Sequence, residues 1–327
     1  MKLGVISSLR SVREVVDIAV RAERAGFWGL GVADTAPLLF QAAYPTITVA
    51  LMATERIHIG SQIGNPVSQH WSVHASSART MEELAPGRSF VALATGDGAV
   101  HSVGLRPSSW RALEEAVTLL KPAAPPDVDV FIAASGPRGS EAAGRVATDV
   151  EFGVGLDVGT LRRFADRARA TRAAAGIDAP LGIWAMAPVF VVDDEADLAQ
   201  ARLEAAAVAN ATARFCFDRT FEDKGVPAEW QDVMRERLRA YDFGQHGTVG
   251  QGAANGLLFA DRPDIQEYLI DRMLLIGTRE QIGERIERLG REAGLDGLWM
   301  FMIPSSHEED RVRLVDRVAE AVAPVLA

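Results

Sequence analysis

The feature of this sequence that most limits its fold is a regular alternation between short apolar runs and longer amphipathic segments. Apolar runs separated by segments of helical periodicity are typical of parallel strands joined by crossover helices. Eight such runs are found, at residues 2–7, 29–34, 57–64, 89–96, 128–135, 149–155, 183–192 and 295–303. The sequence therefore predicts a parallel sheet of eight strands.

The segments between these runs have the spacing of amphipathic helices. In "VREVVDIAVRAERAG", Val12, Val15 and Ala19 recur at helical intervals, and Gly26 is a natural C-terminal cap. Eight strand-and-helix units in 327 residues match a (β/α)8 TIM barrel that forms a single domain, residues 1–327. A doubly wound open sheet is the alternative. Its G-x-G-x-x-G sequence is absent after the first strand, where "ISSLRSV" has no glycine.

One segment, residues 194–275, is longer than a single crossover requires. It holds a predicted helix from Glu195 to Phe215, a glycine-rich stretch "FGQHGTVGQGAANG" at 243–256, and a second predicted helix at 263–275. We interpret this segment as a helical insertion between strands 7 and 8. Barrel loops of this kind often carry the parts that recognise substrate.

The charge of the chain limits its partners. The formal net charge is −10 and no run of lysine and arginine is present. Nucleic acids and anionic membranes are bound through basic surfaces, so neither is expected as a partner. No apolar segment reaches the length of a membrane span free of charge. A small-molecule substrate is the expected partner.

The single cysteine, Cys216, excludes an internal disulfide and cysteine-rich metal sites. The N-terminal apolar run is too short for the core of a signal peptide. Both observations favour a cytoplasmic protein. None of the three lysines, Lys2, Lys121 and Lys224, ends an apolar run, which argues against Schiff-base chemistry on a buried lysine.

Carboxylates end two of the predicted strands. In a TIM barrel the chemistry is found at the C-terminal ends of the strands, and Asp34 and Asp97 stand there. They are candidates for hydrogen bonding or proton transfer. The alternative is that each caps the next helix or turn.

A candidate anion site follows strand 5, in "ASGPRGSEAAGR". Ser135, Gly136, Pro137 and Arg138 combine small residues, a predicted helix N-terminus and a guanidinium, which together suit a phosphate or phosphodiester. An ordinary turn and helix cap has the same composition, and this alternative stays open.

The histidines form no metal signature, and no metal site is expected. His70 and His74 are four residues apart on one predicted helix, but residue 71 is Trp71 rather than glutamate and no third ligand is placed. We expect His70, at the start of the helix, to face the barrel mouth. His74, one turn further along, is expected to pack inside.

Three segments resemble the luciferase-like superfamily of flavin and deazaflavin barrels. They are "IHIGSQIGNPVSQHWSVHASSARTMEELAPGR", "FVALATGDGAVHSVG" and "VFIAASGPRGSEAAGRVATDVEFGVG". A fourth, "LIGTREQIGERIERLGREAGLDGLWMF", is similar to the family's last helix and strand. Together they follow the family's order over most of the chain. The resemblance is closest to the branch that uses coenzyme F420 and includes methylenetetrahydromethanopterin-reductase-like enzymes.

The resemblance implies where the cofactor lies. Its ring would rest against a bulge after strand 3, where the family has a cis peptide bond, here between Gln62 and Ile63. Gly64 and Asn65 would meet the polar edge of the ring. Asp34, Thr95, Gly96 and Asp97 would surround the ring and its side chain. The phosphate end would be held by Ser135, Gly136, Pro137, Arg138, Gly153, Val154 and Gly155.

Because the sequence departs from the family's pattern, the substrates of the family cannot be assigned to this chain. The sugar-phosphate branch has an acidic histidine after the strand-2 aspartate, and the pterin reductase has a glutamate in strand 1; here these positions hold Thr35 and Ile6. Members of the family usually have a long segment between the helix after strand 4 and strand 5. In this chain the segment is only "KPAAPPDVD". This shortening should open one side of the mouth or leave it to another subunit.

The expected function is that of a coenzyme F420-dependent oxidoreductase which exchanges hydride with a small organic substrate. The proton partner is expected to be Asp97, or His70 and His101 near it. The resemblance implies a homodimer. An FMN-dependent monooxygenase on the same barrel is the first alternative, and a noncatalytic flavin-binding barrel is the second.

Overall fold

Nine strands are found in the part of the chain that the computed structural model describes, which is residues 1–8, 11–34, 41–245, 248, 250, 252–303 and 311–326. All their pairings are parallel. The strands are β1 (Lys2–Ser7), β2 (Gly29–Val32), β3 (His58–Gly64), β4 (Ser89–Leu93), β5 (Asp129–Ala134), β6 (Asp149–Phe152), β7 (Gly182–Val191), β8 (Leu275–Gly277) and β9 (Gly297–Met302).

Helices connect these strands and cover the outside of the sheet. They are α1 (Val12–Ala25), α2 (Ala43–Met52), α3 (Trp71–Leu84), α4 (Gly98–His101), α5 (Trp110–Ala123), α6 (Pro137–Val146), α7 (Val158–Ala174), α8 (Glu195–Phe217), α9 (Ala228–Arg239), α10 (Pro263–Met273), α11 (Arg279–Ala293) and α12 (Arg311–Leu326). None of the described helices has the length and apolar character needed to cross a membrane.

Eight of the strands close into a barrel. The order runs from β1 through β6 to β7, and β9 lies between β7 and β1. The predicted (β/α)8 barrel is therefore confirmed. The ninth strand, β8, was not expected: it pairs only with the end of β7, where Val189 lies opposite Leu275. The helix expected at 263–275 ends at Met273 because Leu274 is already extended.

Local signals in the sequence set the ends of several helices. Gly26 ends α1 in the left-handed conformation with φ of 90°, as predicted for a glycine cap. Asp157 begins α7, and its carboxylate accepts the N–H of Thr160 at 2.7 Å. Asp194 caps α8 in the same way through the N–H of Ala196 at 2.8 Å. These caps fix where the chain leaves each strand and enters the next helix.

Aromatic rings fill the lower part of the barrel interior. Trp184 of β7 and Trp299 of β9 stack with ring centroids 5.2 Å apart, and Phe90 and Phe131 pack against them. All four side chains are buried. The interior is thus a packed plug rather than a channel, as in other barrels of this class.

Glycines on neighbouring strands make room for the two indole rings. A Cβ atom added to Gly4 would lie 2.2 Å from the ring of Trp299, and one added to Gly297 would lie 2.2 Å from the ring of Trp184. Both distances are far shorter than van der Waals contact. The large rings and the missing side chains therefore complement each other across adjacent strands.

We predict that Gly4→Ala destabilises the protein by about 1–3 kcal/mol, because the new methyl group overlaps a buried ring that has no space to move into. Equilibrium urea unfolding measures the change. The matched control is Gly290→Ala in α11, where the added Cβ would have its nearest neighbour, Met1, at 3.6 Å. Alanine favours a helix, so the control should be neutral or slightly stabilised. Equal unfolding free energies for the two variants would contradict the packing argument.

Candidate active site

A cavity of about 1070 Å³ opens at the C-terminal ends of the barrel strands. Its walls come from the ends of β3, β4, β5, β6 and β7 and from the turns that follow them. The helix α8 covers it through Ala207, Val208, Ala211, Thr212 and Phe215. The sequence between β7 and β8 therefore forms the roof of the cavity, in the position where barrel enzymes carry their active sites.

A bulge in β3 shapes one wall of the cavity. Ser61 pairs with Val91 of β4 and Gly64 pairs with Leu93, so two residues of β3 stand opposite one of β4. These two residues are Gln62 and Ile63, and the peptide bond between them is cis, as the family resemblance implied. Both side chains line the cavity, and Ile63 also packs against the aromatic plug.

Gln62 reaches across the barrel to a buried carboxyl group. Its Nε2 donates a hydrogen bond to Oε2 of Glu151 on β6. Glu151 is 1% exposed and lines the cavity. Burial raises the pKa of Glu151 to about 8, and the hydrogen bond from Gln62 opposes the rise only in part. The carboxyl group is therefore mostly protonated at neutral pH.

Asn65 closes the turn after the bulge. Its Oδ1 accepts the N–H groups of Val67 and Ser68 at 3.0 and 2.8 Å, and its carbonyl oxygen lies 3.2 Å from Nε2 of His74. The other nitrogen of His74 lies 2.6 Å from the hydroxyl of Tyr44. The buried side chains of His74 and Tyr44 therefore stabilise the turn on the side away from the cavity. Among the described residues, Nδ2 of Asn65 has no partner, so it stays available to a ligand in the cavity.

Asp34 lies behind the cavity wall rather than in it. Its carboxylate accepts a hydrogen bond from Gln69 at 3.3 Å, and a Cβ atom added to Gly64 would stand 3.2 Å from its Oδ2. Burial raises the pKa of Asp34 to about 6. Asp34 does not line the cavity, whereas its neighbour Ala33 does. Thr35, which follows, lies outside the described residues.

Asp97 lies at the rim of the cavity. Its Oδ1 is 3.4 Å from Nε2 of His101, one turn along α4, and its side chain is 34% exposed. Burial raises the pKa of Asp97, while Arg214 and His101 oppose the rise. His101 contacts Asp97 and the ring of Phe243 but does not itself line the cavity. Asp97 can therefore exchange protons with solvent.

The N-terminus of α6 faces the cavity beside a buried ammonium group. Gly136 begins the helix without a side-chain cap, and a Cβ atom there would stand 3.9 Å from Nζ of Lys224. Lys224 is 1% exposed and donates to the carbonyl oxygens of Cys216 and Thr220. An ammonium has three N–H donors, so one remains for a ligand. Together with Arg138, these groups form a pocket suited to an anion.

The structure brings most of the predicted site residues together. Twelve line the cavity: Gln62, Ile63, Gly64, Asn65, Thr95, Gly96, Asp97, Ser135, Gly136, Pro137, Arg138 and Gly153. The other five, Asp34, His70, His101, Val154 and Gly155, do not line it. Val154 is fully buried in the core, and a Cβ atom added to Gly155 would meet the backbone of Arg272. His70 was expected to face the mouth, but it is exposed at the start of α3 and its Nδ1 lies 2.8 Å from the hydroxyl of Ser72.

Sequence reasoning missed Glu151 and Lys224, although it did predict the helix from Glu195 that covers the cavity. The signal for Glu151 was present, because a single carboxylate inside the apolar run "DVEFGVG" is costly unless a partner or a function retains it. Lys224 stands in a polar turn, where nothing in the local pattern marks burial. The described residues contain no group of three or more His, Cys, Asp or Glu side chains that could hold a metal ion.

The sequence profile of the luciferase-like monooxygenase family matches residues 2–297. The chain belongs to this family. A comparison with curated proteins gave no match.

Several solved structures share the fold of this family member. The F420-dependent tetrahydromethanopterin reductase of Methanopyrus kandleri has a TM-score of 0.76 at 17% identity, covering 100% of this chain and 99% of that one. An F420-dependent secondary alcohol dehydrogenase, in complex with an F420–acetone adduct, has a TM-score of 0.71 at 19% identity, with 98% of both chains covered. The EDTA monooxygenase of a Chelativorans strain has a TM-score of 0.68 at 13% identity, covering 100% of this chain and 93% of that one.

We predict that Glu151→Gln changes how stability depends on pH. Between the ordinary glutamate pKa of 4.5 and the folded value of about 8, the folded wild type holds a proton that the unfolded chain has released. The contribution of Glu151 to the free energy of unfolding is therefore full below pH 4.5 and falls by about 1.4 kcal/mol per pH unit as pH rises towards 8. Glutamine has no such proton.

Urea unfolding at several values between pH 5 and pH 8 checks this prediction. The difference in unfolding free energy between wild type and Glu151→Gln should shift steadily in favour of the variant as pH rises. A difference that stays constant over this range would mean that Glu151 is already ionised in the folded protein. Glu287→Gln, on the exposed face of α11, is the matched control and should parallel wild type.

Proposed function

We propose that this protein is a coenzyme F420-dependent oxidoreductase that transfers hydride between the deazaflavin and a small organic substrate. One observation carries the proposal: a single cavity joins an apolar wall at Ile63 to a pocket suited to an anion at Gly136 and Lys224. A planar ring on a phosphate-bearing tail requires that combination. The family membership and the two F420-dependent structures of similar fold support it further.

The residues of the cavity fit the two ends of such a cofactor. The ring would rest on Ile63, with Gly64 and Nδ2 of Asn65 at its polar edge, and Thr95 and Gly96 beside its side chain. At the other end, the free N–H groups at the start of α6, the guanidinium of Arg138 and the ammonium of Lys224 would hold the phosphate. Bound there, the deazaflavin supplies or accepts the hydride, and the protein supplies orientation and proton transfer.

We propose that Asp97 transfers protons between the active site and solvent. It lies at the rim, is partly exposed, and has His101 within 3.4 Å. A carboxylate with a raised pKa next to an imidazole can pass protons between water and a buried reaction. His70 is not retained in this role, because it lies outside the cavity, at the N-cap of α3.

An FMN-dependent monooxygenase is the second candidate. The same wall and the same anion pocket would also suit FMN, and a solved monooxygenase has this fold. A barrel that binds a flavin without catalysis would use the same residues. The two catalytic proposals differ in cofactor, which makes cofactor binding the first quantity to measure.

We also propose a single domain with residues 194–275 as an insertion, and a homodimer. The exposed faces of α2 and α3 support the dimer, since Val49, Met52 and Val73 are 48%, 70% and 45% exposed. These two helices pack side by side, so the three side chains belong to one surface of the barrel. Apolar side chains grouped in this way are typical of an interface.

We predict that Gly136→Val weakens the binding of F420 and of FMN by about tenfold or more, but leaves the binding of riboflavin unchanged. The added side chain occupies the space between Gly136 and Lys224, which only a phosphate-bearing ligand needs. The backbone there is extended with φ of −173°, so valine adds no strain. Fluorescence titration gives the three dissociation constants for wild type, Gly136→Val and the control Gly290→Ala.

The same titration separates the candidates. Tight binding of F420 alone by wild type supports the proposed oxidoreductase, and tight binding of FMN alone supports the monooxygenase. Binding of none of the three compounds would reject both. Equal affinities in wild type and Gly136→Val would place the phosphate elsewhere.

We predict that the double variant Val49→Glu, Met52→Glu is monomeric, because burying two carboxylates in an apolar interface costs several kcal/mol. Sedimentation equilibrium compares it with wild type and with Leu203→Glu, which places a carboxylate at an exposed position of α8. A wild type that is already monomeric, or a double variant that still dimerises, would rule out this surface as the interface.

A further inference from the structure

The innermost polar group of the cavity is the carboxyl of Glu151. One of its oxygens, Oε2, accepts the hydrogen bond from Gln62, and the other, Oε1, has no partner among the described residues. Oε1 of Gln62 also lacks a partner there. Buried polar atoms are nearly always hydrogen-bonded in folded proteins, so two unpaired atoms in one contacting pair need an explanation. A bound molecule that supplies the missing partner provides one.

The surroundings of Glu151 are apolar on both sides. In the sheet it stands between Ala133 of β5 and Trp184 of β7. Met186 and Phe301 line the cavity and pack against the same aromatic plug. No cation of the described chain forms an ion pair with the carboxyl. Such a site favours the neutral acid, and it also favours neutral ligands over anionic ones.

The hydrogen bond from Gln62 orients the acid. Because Nε2 of Gln62 donates to Oε2, that oxygen serves as an acceptor, and the carboxyl proton is left to Oε1. Gly31 on β2 makes this arrangement possible, since a Cβ atom there would lie 2.7 Å from Cβ of Gln62. The bulge of β3 then directs Gln62 into the barrel instead of towards the helices. The acid therefore presents one O–H donor, held in place by its neighbour.

We propose that Glu151 is the proton donor to the oxygen of a neutral carbonyl substrate, and that Gln62 is the residue that positions it. This rests on the proposed function. In the step, the carbonyl carbon would gain a hydride from the reduced deazaflavin or flavin, which would be left oxidised, and the C=O double bond would become a single bond. The oxygen takes the proton from Oε1, which leaves Glu151 as a carboxylate. In the reverse direction the carboxylate accepts the hydroxyl proton of an alcohol.

The position of Glu151 sets it apart from Asp97. Asp97 is partly exposed at the rim and exchanges protons with water, whereas Glu151 lies at the closed end of the cavity above the aromatic plug. A substrate that lies between the cofactor ring and the plug would present its oxygen to Glu151. After each turnover the carboxylate regains its proton from solvent through the open side of the cavity.

Infrared difference spectroscopy of the cofactor-loaded protein tests the contact directly. The C=O stretch of a protonated carboxyl should be present in wild type and absent in Glu151→Gln, and it should shift when acetone or cyclohexanone is added. Glu287→Gln should retain the band and its shift. A band that neither ketone moves, or a wild type without the band, overturns the proposal.

Single-turnover reduction of the same two ketones tests the chemistry. A general acid contributes about 10²–10⁴-fold to such a step, so Glu151→Gln should slow hydride transfer by that factor while binding the cofactor as wild type does. Glu151→Asp keeps a carboxyl group on a side chain shorter by one methylene. Its rate of hydride transfer should lie between those of Glu151→Gln and wild type. Gln62→Leu should change the pH profile of the reaction, because the acid loses its orienting bond.

Failure of this inference and failure of the proposed function give different results. A wild type that binds neither F420 nor FMN overturns both. A wild type that reduces ketones at the same rate as Glu151→Gln overturns the role of Glu151 alone and leaves the oxidoreductase intact.

Discussion

The packing of Trp184 against Trp299 is the contact on which the rest of the site depends. These rings, with Phe90 and Phe131, seal the barrel below the strand ends, so that the cavity is closed at one end and open at the other. The seal requires glycine at neighbouring positions such as Gly4 and Gly297. Large rings and absent side chains together give the dense interior that a barrel of eight strands needs.

The site above this plug is built from two regions that are distant in sequence. The strand ends provide the wall at Ile63 and the anion pocket at Gly136, while α8 and the turn that holds Lys224 provide the cover and a buried positive charge. The ring of the cofactor would contact mainly the first region, and its phosphate would lie where the two regions meet, between Gly136 and Lys224.

Much of the fold could be predicted from the sequence, because periodicity and caps are local signals. All eight barrel strands and the turn at Gly26 follow from them, and the resemblance located the cis bond at Gln62. The residues missed depend on distant contacts. The short strand β8 exists only because β7 extends beyond β9, and Lys224 is buried only because the roof folds back on α6. Asp34 follows a strand end, as expected, yet it does not line the cavity.

The stacked indoles beneath the cavity have an optical consequence. Trp184 and Trp299 lie in contact with each other, and Trp28 packs against both. Their emission overlaps the absorption of flavins and deazaflavins, so a ring seated above them would receive their excitation energy. The protein thus carries an intrinsic donor for energy transfer at the closed end of its own cavity, and the lifetime of that emission reports whether the cavity is filled.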